Sequence, residues 1–436
     1  MKLLSITVGG FRNLSRTTLR FPGIIAAVSP NNFGKSNLLD AIAFASDFIS
    51  SSPKSRDAMM ARADAIPLVT SMASAPYEFL VEFEDEGADP EYRVVRYGFS
   101  LVWARDDGSG RRIVDETLQA SPDGKRWTSF LRRNSGQYRK SKETRSFRRV
   151  SLESNQLAID VLTAIDDIEI NHTVKSIQTL SFAICSSLDA SQRFDPLPVD
   201  FTWERLSDSD LVLDDRDLPR ALYRLKTIAP NRYQDLLFAI HTLFPSFASV
   251  SVDAYEVKQD VHDQLSATFE GDEGVDVPLR IRDEMYRVTI RDEHLNQPVD
   301  VSRMSTGTKR LIWLVTNVII GGEIGAGCVA IEEVETSIHP RMLEELLETL
   351  DENLRESSLI LTSHSPYLVQ YLRPESLYVG VPRQDGVASF RRIRPGAVDE
   401  VIENARSRGM GYGDYLFDLM SGGDDGVRAL SEYLEA

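Results

Sequence analysis

Gly34-Lys35-Ser36 follows a short apolar run and opens a stretch patterned as a helix, which sets the first chemical expectation. In the pattern Gly-x-x-x-x-Gly-Lys-Ser/Thr, loop N–H groups and the helix N-terminus surround phosphates. Lys35 would neutralise the β and γ oxygens of a nucleotide, and the Ser36 hydroxyl would bind Mg2+. Ser29 stands where the pattern has its first glycine. Pro30 biases residue 29 toward extended angles, where access to positive φ has little use, so the match is weakened but not broken. The bland alternative is a chance Gly-Lys-Ser at an ordinary helix start, and the strand–loop–helix order speaks against it.

Three further groups could act on a phosphate. Glu332 and Glu333 end the apolar run Cys328–Ile331. There one carboxylate can hold Mg2+ through water while the next polarises an attacking water. Taken alone, paired glutamates also suit a solvated loop. His364 closes the next apolar run, about 30 residues on, within reach of a γ-phosphate or the attacking water. Ser305 and Gly307 lie in Met304-Ser305-Thr306-Gly307-Thr308-Lys309-Arg310 at a helix start. Alone, that turn is simple capping. With a phosphate loop in the same chain it becomes a second anion site, which makes sense if two copies pair head to tail.

Such residues need elements that present them from the ends of buried strands. Gly23–Val28, Cys328–Ile331 and Leu359–Leu361 are short, wholly apolar runs of the kind buried on both faces. Helical spacing follows in Asn37–Ile49, Arg310–Ile320 and Arg341–Leu354. Leu3–Val8 and Thr17–Phe21 read as strands, and residues 77–85, 92–103 and 111–118 alternate as an antiparallel meander. Residues 50–75 read as irregular, and 152–188 and 218–244 as helical. Strands are expected at 248–257, 266–270 and 277–290, with a closing hairpin at Leu377–Val381 and Ala388–Ile393. A glycine-broken helical tail ends the chain. No internal repeat or sustained heptad pattern is present.

The 436 residues suit one large domain with insertions or two to three units, and 42% hydrophobic with 26% charged residues excludes wholesale disorder. A net charge of −17 and pI near 4.9 argue against indiscriminate polyanion binding, so a nucleic-acid contact needs a local basic patch. Residues 131–149 carry eight Lys/Arg against one Glu, either such a patch or a solvated loop. Two distant cysteines, Cys185 and Cys328, exclude a disulfide framework and a paired-cysteine zinc site. No export signal is evident, and the apolar stretch Leu311–Ile320 is half the roughly 20 residues of a membrane helix. A soluble, cytoplasmic protein is expected.

The ordered motifs resemble ABC-class ATPase heads of the SMC, RecF and OLD type, in particular bacterial "AAA family" ATPases of anti-phage defence loci (PARIS-like ATPase subunits). Phe11-Arg12-Asn13-Leu14 resembles the early aromatic-basic motif, residues 29–42 the Walker A, and residues 304–311 the signature. Residues 331–340 resemble Walker B with the D-loop, and 362–366 the H-loop. The resemblance spans roughly residues 1–395, with Glu332 for the usual Asp and no placeable Q-loop glutamine. It implies an α/β fold: a P-loop ABC-type ATPase head with an antiparallel β lobe and a helical insertion. The implied division is 1–150 for the N-terminal half of the core, 151–247 for the helical insertion, 248–395 for the C-terminal half, and 396–436 for the tail.

By the same resemblance, ATP and Mg2+ are the cofactors. Arg12, the backbone of Asn31, Asn32, Phe33 and Gly34, and Lys35, Ser36 and Asn37 would contact nucleotide in cis. Ser305 and Gly307 would meet the γ-phosphate of a partner copy's ATP. Glu333 would act on the water, Glu332 on the metal, and His364 would sense the γ-phosphate, so hydrolysis would need a head-to-tail homodimer. The 72 residues after His364 are too few for the Toprim nuclease of OLD-type proteins, which implies a separate effector, a Toprim-type nuclease or toxin. One alternative is a RecF/SMC-like DNA-repair ATPase gripping phosphates through Arg132–Arg149, marked by salt-sensitive duplex binding. Another is a sensor scaffold that binds ATP and scarcely hydrolyses it. A transporter subunit fits poorly with the long 37–300 insertion.

Overall fold

The computed structural model describes residues 1–435 except 106, 142, 144, 165–168, 186–193, 196–198, 202–210, 212–216, 259–278, 382 and 384. Two compact units partition the chain. Met1–Ile184, Gly325–Val334 and Glu356–Ala436 form the first, and Cys185–Ile324 with Glu335–Arg355 the second.

Two sheets build the first unit. One is antiparallel with eight strands, in the order Thr17–Arg20, Lys2–Gly9, Tyr77–Glu84, Val94–Val102, Arg112–Ser121, Thr128–Arg132, Gln137–Tyr138 and Arg148–Arg149. Its register follows from alternation: Ile6, Val81, Tyr97, Leu118 and Leu131 stand opposite one another across five strands, and all are fully buried. The other sheet has six strands, ordered Phe182–Cys185, Cys328–Ile331, Ser358–Ser363, Ile24–Val28, Leu377–Gly380 and Phe390–Arg392. Its four central strands are parallel, and the closing hairpin is antiparallel. Two of the apolar runs expected to be buried on both faces are so throughout, every residue of Cys328–Ile331 and Ser358–Ser363 being buried, while in Gly23–Val28 the first two residues are half-buried.

Helix Lys35–Ser50 lies on the aromatic face of the antiparallel sheet. Phe44 meets Tyr77 at 4.9 Å and Trp103 at 5.3 Å between ring centroids, and Phe48 stacks on Phe99 at 5.1 Å. Each such pair adds about 0.5–1.5 kcal/mol beyond the area it buries. The polar ends are satisfied: the Tyr77 hydroxyl donates to the Ala41 carbonyl (2.7 Å) and the Trp103 indole to Gly10 (2.9 Å). The helix, and the loop at its N-terminus, are therefore fixed by side chains on several strands.

Two segments differ from the sequence expectation. Within residues 50–75, Pro53–Met59 is a helix capped by Ser52. It rests on a buried Arg56, which donates to the carbonyls of Phe48 and Ile49 (both 2.7 Å) and pairs with Asp160, so no apolar stripe announces it. Among the described residues of 152–188, Ala158–Leu162 and Asn171–Gln178 are helical, while Phe182–Cys185 is the edge strand of the parallel sheet. A four-residue apolar run is too short for periodicity to separate strand from helix. The strand expected at 266–270 lies outside the described residues.

The tail from Val398 forms three helices, Val398–Ser407, Tyr412–Ser421 and Gly423–Tyr433. Its end returns to the sheet: Glu435 N–H donates to the Arg392 carbonyl and Arg394 N–H to that of Tyr433 (both 2.8 Å).

In the second unit, helices Leu218–Ile228 and Pro230–Leu243 pack on an antiparallel sheet of Phe247–Glu256, Glu284–Asp292 and Val299–Asp300. Val199–Phe201 pairs separately with Leu279–Ile281. Helix Thr306–Glu323 is buried throughout Lys309–Gly321 and packs on Leu343–Asn353. Among the described residues, no helix is long and apolar enough to cross a membrane.

Candidate functional site

The first unit brings three loops together because their strands are neighbours. Ile24–Val28, Ser358–Ser363 and Cys328–Ile331 run parallel and side by side, with Val28 opposite Ser363 and Leu361 opposite Ile331. Their carboxyl ends deliver residues 29–36, His364 and Glu332–Glu333 to one edge, where open α/β sheets bind ligands.

The phosphate-loop geometry answers the question posed by Ser29. That residue is absent from the positive-φ set, so it needs no glycine, and its Cβ packs where a side chain on Gly380 would come within 2.6 Å. Left-handed backbone falls instead on Asn32 (φ 60°) and Gly34 (φ 97°). At Gly34 a Cβ would lie 2.7 Å from that of Ala388, so glycine is required there twice over. The Lys35 ammonium is buried and donates to the carbonyls of Ser29 (2.9 Å) and Pro30 (3.1 Å), spanning the loop. Asn31 and Asn32 are exposed, Phe33 is half-buried, and Ser36 is open to solvent.

Arg12 joins this edge through a network that sequence reasoning missed. In left-handed backbone itself (φ 49°), it donates from Nη1 to Asp40 Oδ2 (2.5 Å) and Asn37 Oδ1 (2.8 Å), and from Nε to the Asp64 carbonyl (2.6 Å). Asn37 in turn donates to Asn13 Oδ1 (2.7 Å). Asp40 follows Ser36 by one helical turn, a spacing that places both on one face. That spacing was the only available signal, and an aspartate on a helix ordinarily reads as solvated.

The carboxylates divide. Glu332 is half-buried, and desolvation pushes its carboxyl above the ordinary range. A hydrogen bond with the Ser36 hydroxyl opposes this, Asp40 and Glu333 add to it, and Lys35 pulls the other way. A Ser36 hydroxyl touching a Glu332 carboxylate beside a lysine forms a hard oxygen set that fits a Mg2+ keeping several waters. Among the described residues, no group of three or more His, Cys, Asp or Glu is gathered to hold a metal by itself. Glu333 is in left-handed backbone (φ 46°), a cost of about 1–3 kcal/mol for such a residue. Thr362 Oγ1 accepts its N–H at 3.2 Å, and its Oε1 lies 3.5 Å from His364 Nδ1. Both side chains remain partly exposed.

Ser305 and Gly307 belong to the second unit. Ser305 caps helix Thr306–Glu323, its Oγ accepting from Thr308 N–H (3.2 Å) and lying 2.8 Å from Thr308 Oγ1. Gly307 is pressed on the D-loop: a Cβ there would lie 2.7 Å from the Ser337 carbonyl, and Ser337 is itself left-handed (φ 64°). The capping role is thus real, yet Ser305 and Thr306 stay exposed.

The expected basic patch is smaller than the run of charges. Arg133 is buried, donating to the carbonyls of Ile113 (3.2 Å), Gln156 (2.5 Å) and Glu153 (2.7 Å), and serves the fold. Arg132, Arg148 and Arg149 are exposed on the outer strands of the sheet.

This arrangement is that of a P-loop ABC-type ATPase head. A crystal structure of an Smc head bound to the C-winged helix domain of ScpA aligns over 92% of this chain and all of that one, with a TM-score of 0.50 at 14% identity. That likeness bears on the fold alone. Residues 30–370 match the family described as "AAA domain, putative AbiEii toxin, Type IV TA system", and the chain belongs to that family. Its family is thus one of AAA domains, and its fold is that of an SMC head. The chromosome partition protein Smc of Mycolicibacterium paratuberculosis (strain ATCC BAA-968 / K-10) is 31% identical over 198 residues, 36% of this chain and 16% of that protein. That of Mycobacterium leprae (strain TN) is 56% identical over 46 residues, 10% of this chain and 4% of the relative. The chain thus spans a small part of the curated relatives it matches.

Proposed function

We propose that this protein binds ATP with Mg2+ between two head-to-tail copies and hydrolyses it, and that closure of the pair controls a separate nuclease or toxin in bacterial anti-phage defence. One observation carries the reading: Lys35, Ser36, Glu332, Glu333 and His364 follow three adjacent parallel strands at one sheet edge, with Glu333 Oε1 3.5 Å from His364 Nδ1. Lys35, Arg12 and the loop N–H groups from Asn31 to Gly34 bind the phosphates. Ser36 and Glu332 hold the metal, which supplies charge neutralisation at the β and γ oxygens. Glu333 orients and deprotonates the attacking water, and His364 fixes the γ-phosphate end. Ser305 and Gly307 of the second copy close the site. The family's description, an AAA domain and putative AbiEii toxin of a type IV toxin–antitoxin system, supports a place in a two-component locus.

Glu333→Gln should retain ATP, lower turnover by about 100-fold or more, and accumulate ATP-bound pairs on sizing with light scattering. Hydrolysis by that variant at the wild-type rate would overturn the assignment. A second reading, an SMC- or RecF-like DNA ATPase, is favoured by the chromosome-partition relatives and by the exposed guanidinium groups of Arg132, Arg148 and Arg149. Neutralising those three should abolish salt-sensitive duplex binding if that reading holds, and absence of such binding at low salt removes it.

A further inference from the structure

The chain beyond residue 370 lies outside the matched family region, yet it grips the element that follows His364. His364 stands between the end of strand Ser358–Ser363 and the five-residue helix Pro366–Gln370. A helix that short has no stability of its own, so its position is set by what packs on it. At its N-terminus Ser365 caps, the Oγ accepting from Tyr367 N–H at 3.3 Å. At its C-terminus the Tyr412 hydroxyl of the tail lies against the carbonyls of Val369 and Leu372, which share its single donor proton. On its flank the tail backbone leaves no room for a side chain. A Cβ on Gly413 would lie 2.3 Å from the Pro366 carbonyl oxygen and 3.3 Å from Val369 Cβ. Gly413 is not among the positive-φ glycines, so space and not backbone conformation requires it.

The tail is anchored at its far end. Tyr433 accepts at its hydroxyl from Asn404 Nδ2 (2.9 Å), Leu434 bridges to Ile393, and Glu435 pairs with Arg392 (2.7 Å) and Arg20 (2.9 Å). Contacts therefore run from the sheet through the tail to Pro366, two residues from His364.

We propose that Tyr412 and Gly413 are positioning residues for His364, so that the tail sets the rate of γ-phosphate chemistry without touching nucleotide. This rests on the reading of His364 given above. In the full-length protein, Gly413→Ala forces Pro366 aside and should lower kcat about tenfold, because displacement near 1 Å can cost up to two orders of magnitude. The Kd for a fluorescent ATP analogue should stay within about twofold of wild type, since Lys35 and its loop are untouched. Tyr412→Phe removes only a hydroxyl and should act in the same direction more weakly, which keeps the test open if Gly413→Ala folds poorly. In a His364→Ala background neither change should slow hydrolysis further. Additive losses, or wild-type kcat in both tail variants while His364→Ala is slow, would overturn the proposal alone. Wild-type kcat in His364→Ala would overturn the underlying reading and the proposal with it.

Discussion

Arg12 makes its contacts with residues that gave no sign of it. Its guanidinium is held by Asp40, 28 residues on, by Asn37, and by the Asp64 carbonyl. Three anchors remove most of a long side chain's freedom before any ligand arrives, which is how an arginine binds phosphate without losing entropy in the act. If Arg12 meets the nucleotide, Asp40→Ala should weaken binding of a fluorescent ATP analogue by about tenfold, or 1.4 kcal/mol. Asp40→Asn, which keeps an acceptor, should lose less, and Asp40→Ala added to Arg12→Ala should cost nothing more. Fully additive losses would show that Asp40 acts elsewhere. At this scale, legibility followed chemical rarity. Lys35, Ser36 and the paired glutamates stood out because few contexts place them after buried strands. Asp40 and Thr362 did not, because their partners are assembled only by the fold. Ser29 was readable as tolerable from Pro30 alone, while its packing on Gly380 was not.

Strands and the phosphate-loop helix were legible because alternation and apolar runs are one-dimensional signals. Helix Pro53–Met59 was not, because a buried arginine holds it. Glu116 is a related case inside the antiparallel sheet. Fully buried, it accepts the N–H groups of Ala158 (2.7 Å) and Ile159 (3.2 Å) at the start of helix Ala158–Leu162, and the Tyr97 hydroxyl at 3.1 Å. Burial pushes its carboxyl up to about 7, against the opposing pull of those N–H groups, Arg133 and Tyr97. Between the ordinary 4.5 and that value, the folded protein keeps a proton that the unfolded chain releases. Stability should therefore fall as pH rises through this window, by roughly 3 kcal/mol in all. Urea unfolding from pH 4.5 to pH 8 checks this, and Glu116→Gln should flatten that component. An unchanged slope in the variant would place the titration on another group.

The chain as a whole carries a net charge of −17 and folds as two compact units, with Lys35, Glu332, Glu333 and His364 in the first and Ser305 and Gly307 in the second. Motif order was legible across both units because each motif is local. Membership of the units was not, since Glu332 and Glu335 fall in different ones although three residues apart. Pairing of two copies is the economical account of a phosphate loop in one unit and a capped, exposed anion turn in the other. Mixing two disabled chains tests it most directly. Lys35→Ala lacks the loop cation, and Ser305→Arg blocks the turn, so neither alone should hydrolyse ATP. A mixed pair retains one composite site, with Lys35 from one copy and Ser305 from the other. Turnover should reappear on mixing, peak near equal proportions, and vanish when Glu333→Gln is added to the Ser305→Arg chain. If both variants are folded and inactive and their mixture stays inactive at every ratio, the shared site is contradicted.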